Sequence, residues 1–446
     1  MLKRLLCSAL LVCSFGTHAN DWQKEFFSSM SNELPASRGV AVDDLGFVHL
    51  QAFNKQPWSS GYDFAHLYTF NAQGQVPWIW GLTSIDRKSD CGVYAKSGQR
   101  LDCFRTSGYN GDNTRLEMRS RYNSYLVWQT TLPSEVELLD ASIPTQDEAL
   151  FVGKLTGPWG DELGVFRIAG YGMIDVLSVA PTCPNAGQSM TLSRFRMPKQ
   201  EGERIRHVKA CWNSFGTTEL ILEEFDPHTR QWTALSTWDI AYGEQLLRAD
   251  INAEGKAFAL VEHKDGFREL LRTPIYADQW EALPFPIEGK ITAFLAGTQG
   301  LVVASLPPAS EAGSVQLDTL AYTSVQTGGV PMTVGWFDLN AYWPTLQWFP
   351  QLNDVAPQSF ALSTQGALII VAASLSQPSS QQLWLASRYG HVDSIASMPL
   401  AANEIAVDKT YLVGGPNNVA TVARTIRRDG TQIGVRVDQY DLPLSP

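Results

Sequence analysis

Apolar residues recur along this chain in short runs with strand-like alternation, broken by turn residues. VAVDDLGFVHLQAF, from Val40 to Phe53, shows the unit: an apolar run, an Asp-Leu-Gly break, then alternating apolar positions. Two β-strands around a tight turn give this pattern, with glycine where the turn needs positive φ. INAEGKAFAL, AFLAGTQGLVVASL, FALSTQGALIIVAAS and GVYAKSGQRLDCF repeat it; ASIPTQDEALFVGKL and EIAVDKTYLVGG are looser copies. Long amphipathic helices are scarce. DWQKEFFSSMSNEL, near the start, is the best candidate for one.

A second echo follows each hairpin. Trp78, Trp128, Trp232, Trp280 and Trp348 each precede a short, mostly apolar ending, as in SYLVWQTTLP and DQWEALPFP. A hairpin followed by strand-turn-strand makes a four-stranded antiparallel meander. Units begin near Val40, Cys91, Asp140, Gln188, Arg248, Thr292, Ser359 and Glu404, a period of about 45–55 residues that matches propeller blades. Each unit alone would expose an apolar face, which radial stacking buries. The repeated Trp then packs between blades.

VAVDDLGFVHL and INAEGKAFAL resemble the first hairpin of bacterial propeller repeats, and FDPHTRQWTAL is similar to the end of a kelch blade. The expectation is an all-β chain forming a β-propeller of seven or eight four-stranded antiparallel blades, eight preferred. A two-domain β-sandwich protein is the alternative. GVRVDQYDLP is a candidate for one side of ring closure, and the segment 307–331 reads as an insertion on one blade.

The ends set the compartment. Lys3 and Arg4 precede an apolar Leu5–Phe15 core, and Thr17-His18-Ala19 fits a cleavage site, so residues 1–19 read as a signal peptide and 20–446 as a single propeller domain, secreted or periplasmic. No integral membrane segment is expected. Cys7 and Cys13 leave with the leader. Cys91, Cys103, Cys183 and Cys211 are expected as disulfides, since their spacing is too wide for a zinc site. A three-residue loop Lys96-Ser97-Gly98 would put Cys91 across from Cys103, leaving Cys183 to pair with Cys211. The net charge of −11, without a dense basic cluster, argues against nucleic acid as a partner.

Chemical signatures are sparse. His49, His66, His207, His228, His263 and His391 lie far apart, and each reads as a strand or turn residue on a solvated face. Neither a metal-binding His pair nor a G-x-S-x-G elbow occurs in the sequence. Asn110, Asp112 and Asn113 in SGYNGDNTR read as a polar turn before a calcium loop. Asp43-Asp44, Asp161-Glu162 and Glu223-Glu224 are adjacent acids: on a strand they face opposite ways, and in a turn they are solvated. No catalytic residue, metal or cofactor is assigned. Trp58, Tyr62, Trp159, Tyr342 and Trp343 stand outside the repeat as tentative ligand aromatics. The expected function is a non-enzymatic, monomeric module that binds a protein partner in the bacterial cell envelope, with an apolar patch near residues 307–331. The alternative is a carbohydrate-active enzyme or lectin that uses the axial funnel.

Overall fold

The computed structural model describes residues 21–27, 36–55, 63–76, 78–85, 92–108, 111–120, 125–157, 160–181, 183–185, 187–274, 278–285, 290–297, 300–306, 324–326, 333–338, 346–348, 355–363, 365–374, 380–386, 392–430 and 432–443. Among them, β1 (Trp22–Phe27) comes first. Blade 1 is β2 (Ala36–Val42), β3 (Val48–Lys55), β4 (Asp63–Phe70) and β5 (Trp78–Ile85). Blade 2 is β6 (Val93–Lys96), β7 (Gln99–Gly108), β8 (Gly111–Arg119) and β9 (Leu126–Thr131). Blade 3 is β10 (Val136–Ser142), β11 (Ala149–Gly157), β12 (Gly160–Ala169) and β13 (Met173–Pro181). Blade 4 is β14 (Ser189–Arg196), β15 (Ile205–Trp212), β16 (Thr218–Asp226) and β17 (Gln231–Ile240). Blade 5 is β18 (Gln245–Ile251), β19 (Ala257–Glu262), β20 (Arg268–Arg272) and β21 (Glu281–Pro284). In blade 6, β22 (Lys290–Ala296) and β23 (Gly300–Leu306) are separated by β24 (Ser324–Gln326) from β25 (Thr333–Asp338) and β26 (Leu346–Trp348). Blade 7 is β27 (Val355–Leu362), β28 (Leu368–Ser374), β29 (Ser380–Ala386) and β30 (Val392–Pro399). Blade 8 begins with β31 (Glu404–Gly415), β32 (Val419–Arg428) and β33 (Gln432–Asp441).

All pairings among the described strands are antiparallel and follow chain order within each blade, except where β1 completes blade 8. First strands of successive blades neighbour one another, as in β2 beside β6 and β31, or β18 beside β14 and β22, so they surround an axis. Apolar clusters span consecutive blades, for example Leu101, Met118 and Trp128 with Phe151 and Phe166, or Leu220 and Leu222 with Ala259 and Leu271. The chain is an eight-bladed β-propeller. Its first strands lie at or within a few residues of the eight expected starts. All five repeated Trp fall on or beside fourth strands, and Trp128 and Trp280 are buried in inter-blade clusters.

The first strand bulges in seven blades, between Ser37 and Gly39, Leu138 and Asp140, and at equivalent points up to Val407 and Thr410. A bulge adds the local twist that lets a short strand bend at the axis. The turn expected in VAVDDLGFVHL is present: Asp43 Oδ1 accepts the N–H of Leu45 (2.9 Å) and Phe47 (2.8 Å), and Gly46 has φ +83°. The same side-chain closure recurs at Asn71, Asn213, Asn252 and Ser363.

Three expectations are corrected. The helix candidate at the start is a strand over Trp22–Phe27: β1 pairs with β33 and supplies the fourth strand of blade 8, so closure uses both ends of the described chain. A six-residue segment with alternating pairing wins over helical periodicity because its partner lies some four hundred residues away and is invisible to local pattern. The blade 2 hairpin is tighter than expected. Lys96 pairs with Gln99 around Ser97 (φ 50°) and Gly98 (φ 81°), so the Cys103 N–H meets the Gly92 carbonyl and Gly92 stands opposite Cys103. Positive φ at both turn residues matches strand twist better than a three-residue loop. Where the insertion is described, it leaves its own blade: β24 pairs with the axial edge of β27 and also neighbours β22 and β31.

Candidate functional site

In a meander, the turns between second and third strands and the links between blades share one end of the ring. On blades 4 and 5 that end carries four exposed aromatic side chains. Trp212 ends β15, Phe215 tops the next turn, Tyr242 lies in the link to β18, and Phe267 follows the turn after β19; their exposures are 44%, 81%, 67% and 47%. Hydrophobic rings usually turn inward, so four on contiguous turns of one face form an unusual surface.

The turns hold this arc in shape. Asn213 Oδ1 accepts the N–H of Phe215 (3.0 Å) and Thr217 (3.1 Å), closing the loop beneath Phe215. Gly216, at φ +80°, lies so close to Tyr242 that a Cβ would come within 2.9 Å of its ring. Lys264 Nζ sits 5.6 Å from the Tyr242 ring centroid, and the His263 ring stacks on Phe267 at 5.8 Å. Glu244 (2.7 Å) and Glu269 (3.1 Å) clamp His263 from both sides. The Glu244 hydrogen bond, helped by Glu269 against partial burial, holds the His263 pKa above its ordinary value.

The margin is acidic. It carries Glu219, Asp239, Glu244, Glu262, Asp265 and Glu269 against Lys264 and Arg268; Glu244 and Glu269 are paired with His263, and Glu262 with Arg268 at 2.7 Å. Glu219 and Asp239 stand directly opposite each other on β16 and β17. Like charges so placed cost stability, which a partner cation would relieve. Beneath the arc, Cys183 and Cys211 form the expected disulfide, with a Cα–Cα distance of 5.6 Å, joining the residues before β14 to the end of β15. Cys103 is also disulfide-bonded, while Cys91, expected as its partner, lies outside the described residues.

At the opposite end, Lys96, Ser97, Gln99, Ser120, Pro144, Thr145 and Gln146 line an open, polar cavity of about 370 Å³. Lys96 Nζ is already engaged by the carbonyls of Pro144 (2.7 Å) and Lys199. Between blades 1 and 2 lies a buried polar joint. Asp102 receives Arg100 in a two-point contact (2.6 and 2.8 Å) and Gln51 at 2.8 Å; Asp43 Oδ2 meets His49 (3.4 Å) and the Gly98 N–H (2.6 Å). Asp44 binds the Ser97 hydroxyl at 2.9 Å. Asp43 and Asp44 thus fasten the turn of blade 2, and Asp43 is buried, not solvated. Burial pushes its carboxyl up, but the hydrogen bonds from His49 and two backbone N–H groups leave it below the ordinary range.

His49 and His207 are likewise fully buried, against the expected solvated placement. Each has a carboxylate partner that the sequence separates from it, so distance along the chain hid the pairing. Glu223 and Glu224 do face opposite ways: Glu223 meets His207 and Lys209, Glu224 meets Arg204 and Arg206. Both are buried. Asp112 and Asn113 belong to β8, and Asn110 lies outside the described residues. The tentative ligand aromatics Trp58, Tyr62, Trp159, Tyr342 and Trp343 also lie outside them. Among the described residues, no group of three or more His, Cys, Asp or Glu could hold a metal ion, and no helix is long and apolar enough to cross a membrane. The four exposed aromatics were not legible in the sequence because Phe215 and Phe267 sit in ordinary turn motifs; their tertiary proximity is the signal.

No family model and no curated protein matches the chain. Solved structures similar to it include the WD40 domain of SCAP from fission yeast (8% identity, 95% of this chain and 99% of that one, TM-score 0.49). Others are Saccharomyces cerevisiae Sqt1 (11%, 94% and 98%, 0.47) and the β-propeller domain of the Trilobed protease from Pyrococcus furiosus (8%, 76% and 95%, 0.43). The kelch likeness finds no match among family models.

Proposed function

We propose that this chain is a protein-binding propeller of the bacterial cell envelope that docks a basic, apolar-tipped segment of its partner on blades 4 and 5. The carrying observation is the arc of Trp212, Phe215, Tyr242 and Phe267 inside an acidic margin. Aromatic side chains anchor protein interfaces, and opposite charge at the rim selects the partner and speeds encounter. Residues 307–323 and 327–331, where an apolar patch was expected, lie outside the described residues. The arc also lacks equivalence between blades: Phe215 is third in its turn, whereas Phe267 is fifth, which fits one partner better than a repeated sugar subsite. The leader-like first residues support export.

The test offers the protein, without its first nineteen residues, to a peptide array graded in charge and apolar content and to a glycan array. Retention of basic peptides with aromatic or aliphatic anchors, lost in Phe215→Ser/Tyr242→Ser, supports the reading. Retention of glycans alone overturns it.

A further inference from the structure

Among the described residues, two hydroxyl–imidazole–carboxylate chains occur in the ring, and they differ in reach. In blade 1, Thr69, His49 and Asp43 are all buried and connect at 3.3 and 3.4 Å. In blade 4, Ser193 Oγ lies 2.6 Å from His207 Nε2, and His207 Nδ1 lies 2.8 Å from Glu223 Oε1. Lys209 Nζ holds the other carboxylate oxygen at 2.7 Å. His207 stacks on Phe195 at 4.1 Å, which fixes its ring, while Ser193 is partly exposed on β14 at the axis. We propose that Ser193 is the nucleophile of an acyl-transfer site in the channel wall, with His207 as its base and Glu223 and Lys209 as positioning residues. This site is independent of the docking surface.

Order and spacing match what the chemistry requires: a nucleophile bonded to a base, and a base bonded to a group that fixes its tautomer and steadies its charged form. Burial, opposed by Glu223, lowers the His207 pKa, so the ring is neutral and able to accept a proton at pH 7. Ser193 Oγ bonds to the acyl carbon of an ester as its proton passes to His207 Nε2. The alcohol leaves with that proton. Water then repeats both steps, releasing the acid and restoring the serine.

The test treats the folded wild-type protein with a fluorophosphonate probe, maps the adduct by peptide mass spectrometry, and follows hydrolysis of p-nitrophenyl acetate. The expected result is one adduct on Ser193, absent in Ser193→Ala and kept in Ser189→Ala, with hydrolysis of the ester lost in Ser193→Ala. His207→Gln should slow labelling by about 100-fold or more. Glu223→Gln should move the pH profile of labelling, which a purely structural role would not do. No adduct on Ser193 in folded wild-type protein, or labelling unchanged in Ser193→Ala, overturns the proposal.

Discussion

Closure of the ring rests on a charged layer that can be weighed. Glu404, at the start of β31, is buried and accepts Arg428 Nε at 2.9 Å, Arg436 Nη2 at 2.9 Å and the Ala401 N–H at 3.1 Å. Glu25 on β1 meets the same two guanidiniums from the other side, at 3.1 and 2.5 Å. Burial raises the Glu404 carboxyl, but these donors outweigh it and hold its pKa at about 2, against an ordinary 4.5. The folded value is depressed, so the stabilisation is present above pH 4.5 and is lost as pH falls toward 2. The difference corresponds to about 3 kcal/mol at neutral pH. Glu404→Gln keeps the shape and removes the charge. Urea unfolding of the variant and the wild type at pH 7, 5, 3 and 2.5 is the assay. The expected gap is about 3 kcal/mol at pH 7, narrowing as the wild-type carboxylate protonates. A gap equally large at pH 7 and pH 2.5, or no gap at pH 7, would refute the reasoning.

Other consequences are as direct. Replacing Cys183 and Cys211 by Ala, which opens a loop with a sequence separation of 28, should cost about 3–4 kcal/mol in urea unfolding. Gly216→Ala should lose about 1–2 kcal/mol from strain at positive φ and weaken peptide binding as Tyr242 is pushed aside. Burial lowers the pKa of His49 and His207, so their contribution is complete above the ordinary histidine range near ~6.5 and declines as pH falls below it. The melting temperature should therefore already drop between pH 7 and pH 5, before Glu404 titrates, and His49→Gln should flatten that part of the curve.

Local pattern carried the architecture because each blade is encoded locally. Asp43-x-x-Gly46, Asn252-x-x-Gly255 and Ser363-x-x-Gly366 are turns whose side-chain acceptor and positive-φ glycine lie within five residues, so they could be read from the sequence, and the eight starts followed from them. Trp128 and Trp280 marked the fourth strands because inter-blade packing repeats with the blade. What failed depended on distant partners. Trp22–Phe27 carries no mark that its partner is Gln432–Asp441. The buried states of His49, His207, Glu223 and Glu224 come from cross-strand and inter-blade pairing, which residue type alone does not disclose. The aromatic arc was illegible for the same reason: Phe215, Tyr242 and Phe267 belong to three separate turns, and their common face appears once the strands alternate around the ring.

Binding of a basic, apolar-tipped segment by the aromatic arc of blades 4 and 5 can be measured by isothermal titration, using the best array-selected basic peptide against the wild type and Phe215→Ser/Tyr242→Ser at low and high salt. Affinity should be at least about tenfold weaker in the double variant, in line with aromatic anchor residues, and binding of the wild type should weaken at high salt. Equal affinity for both proteins, with no salt dependence, would contradict it.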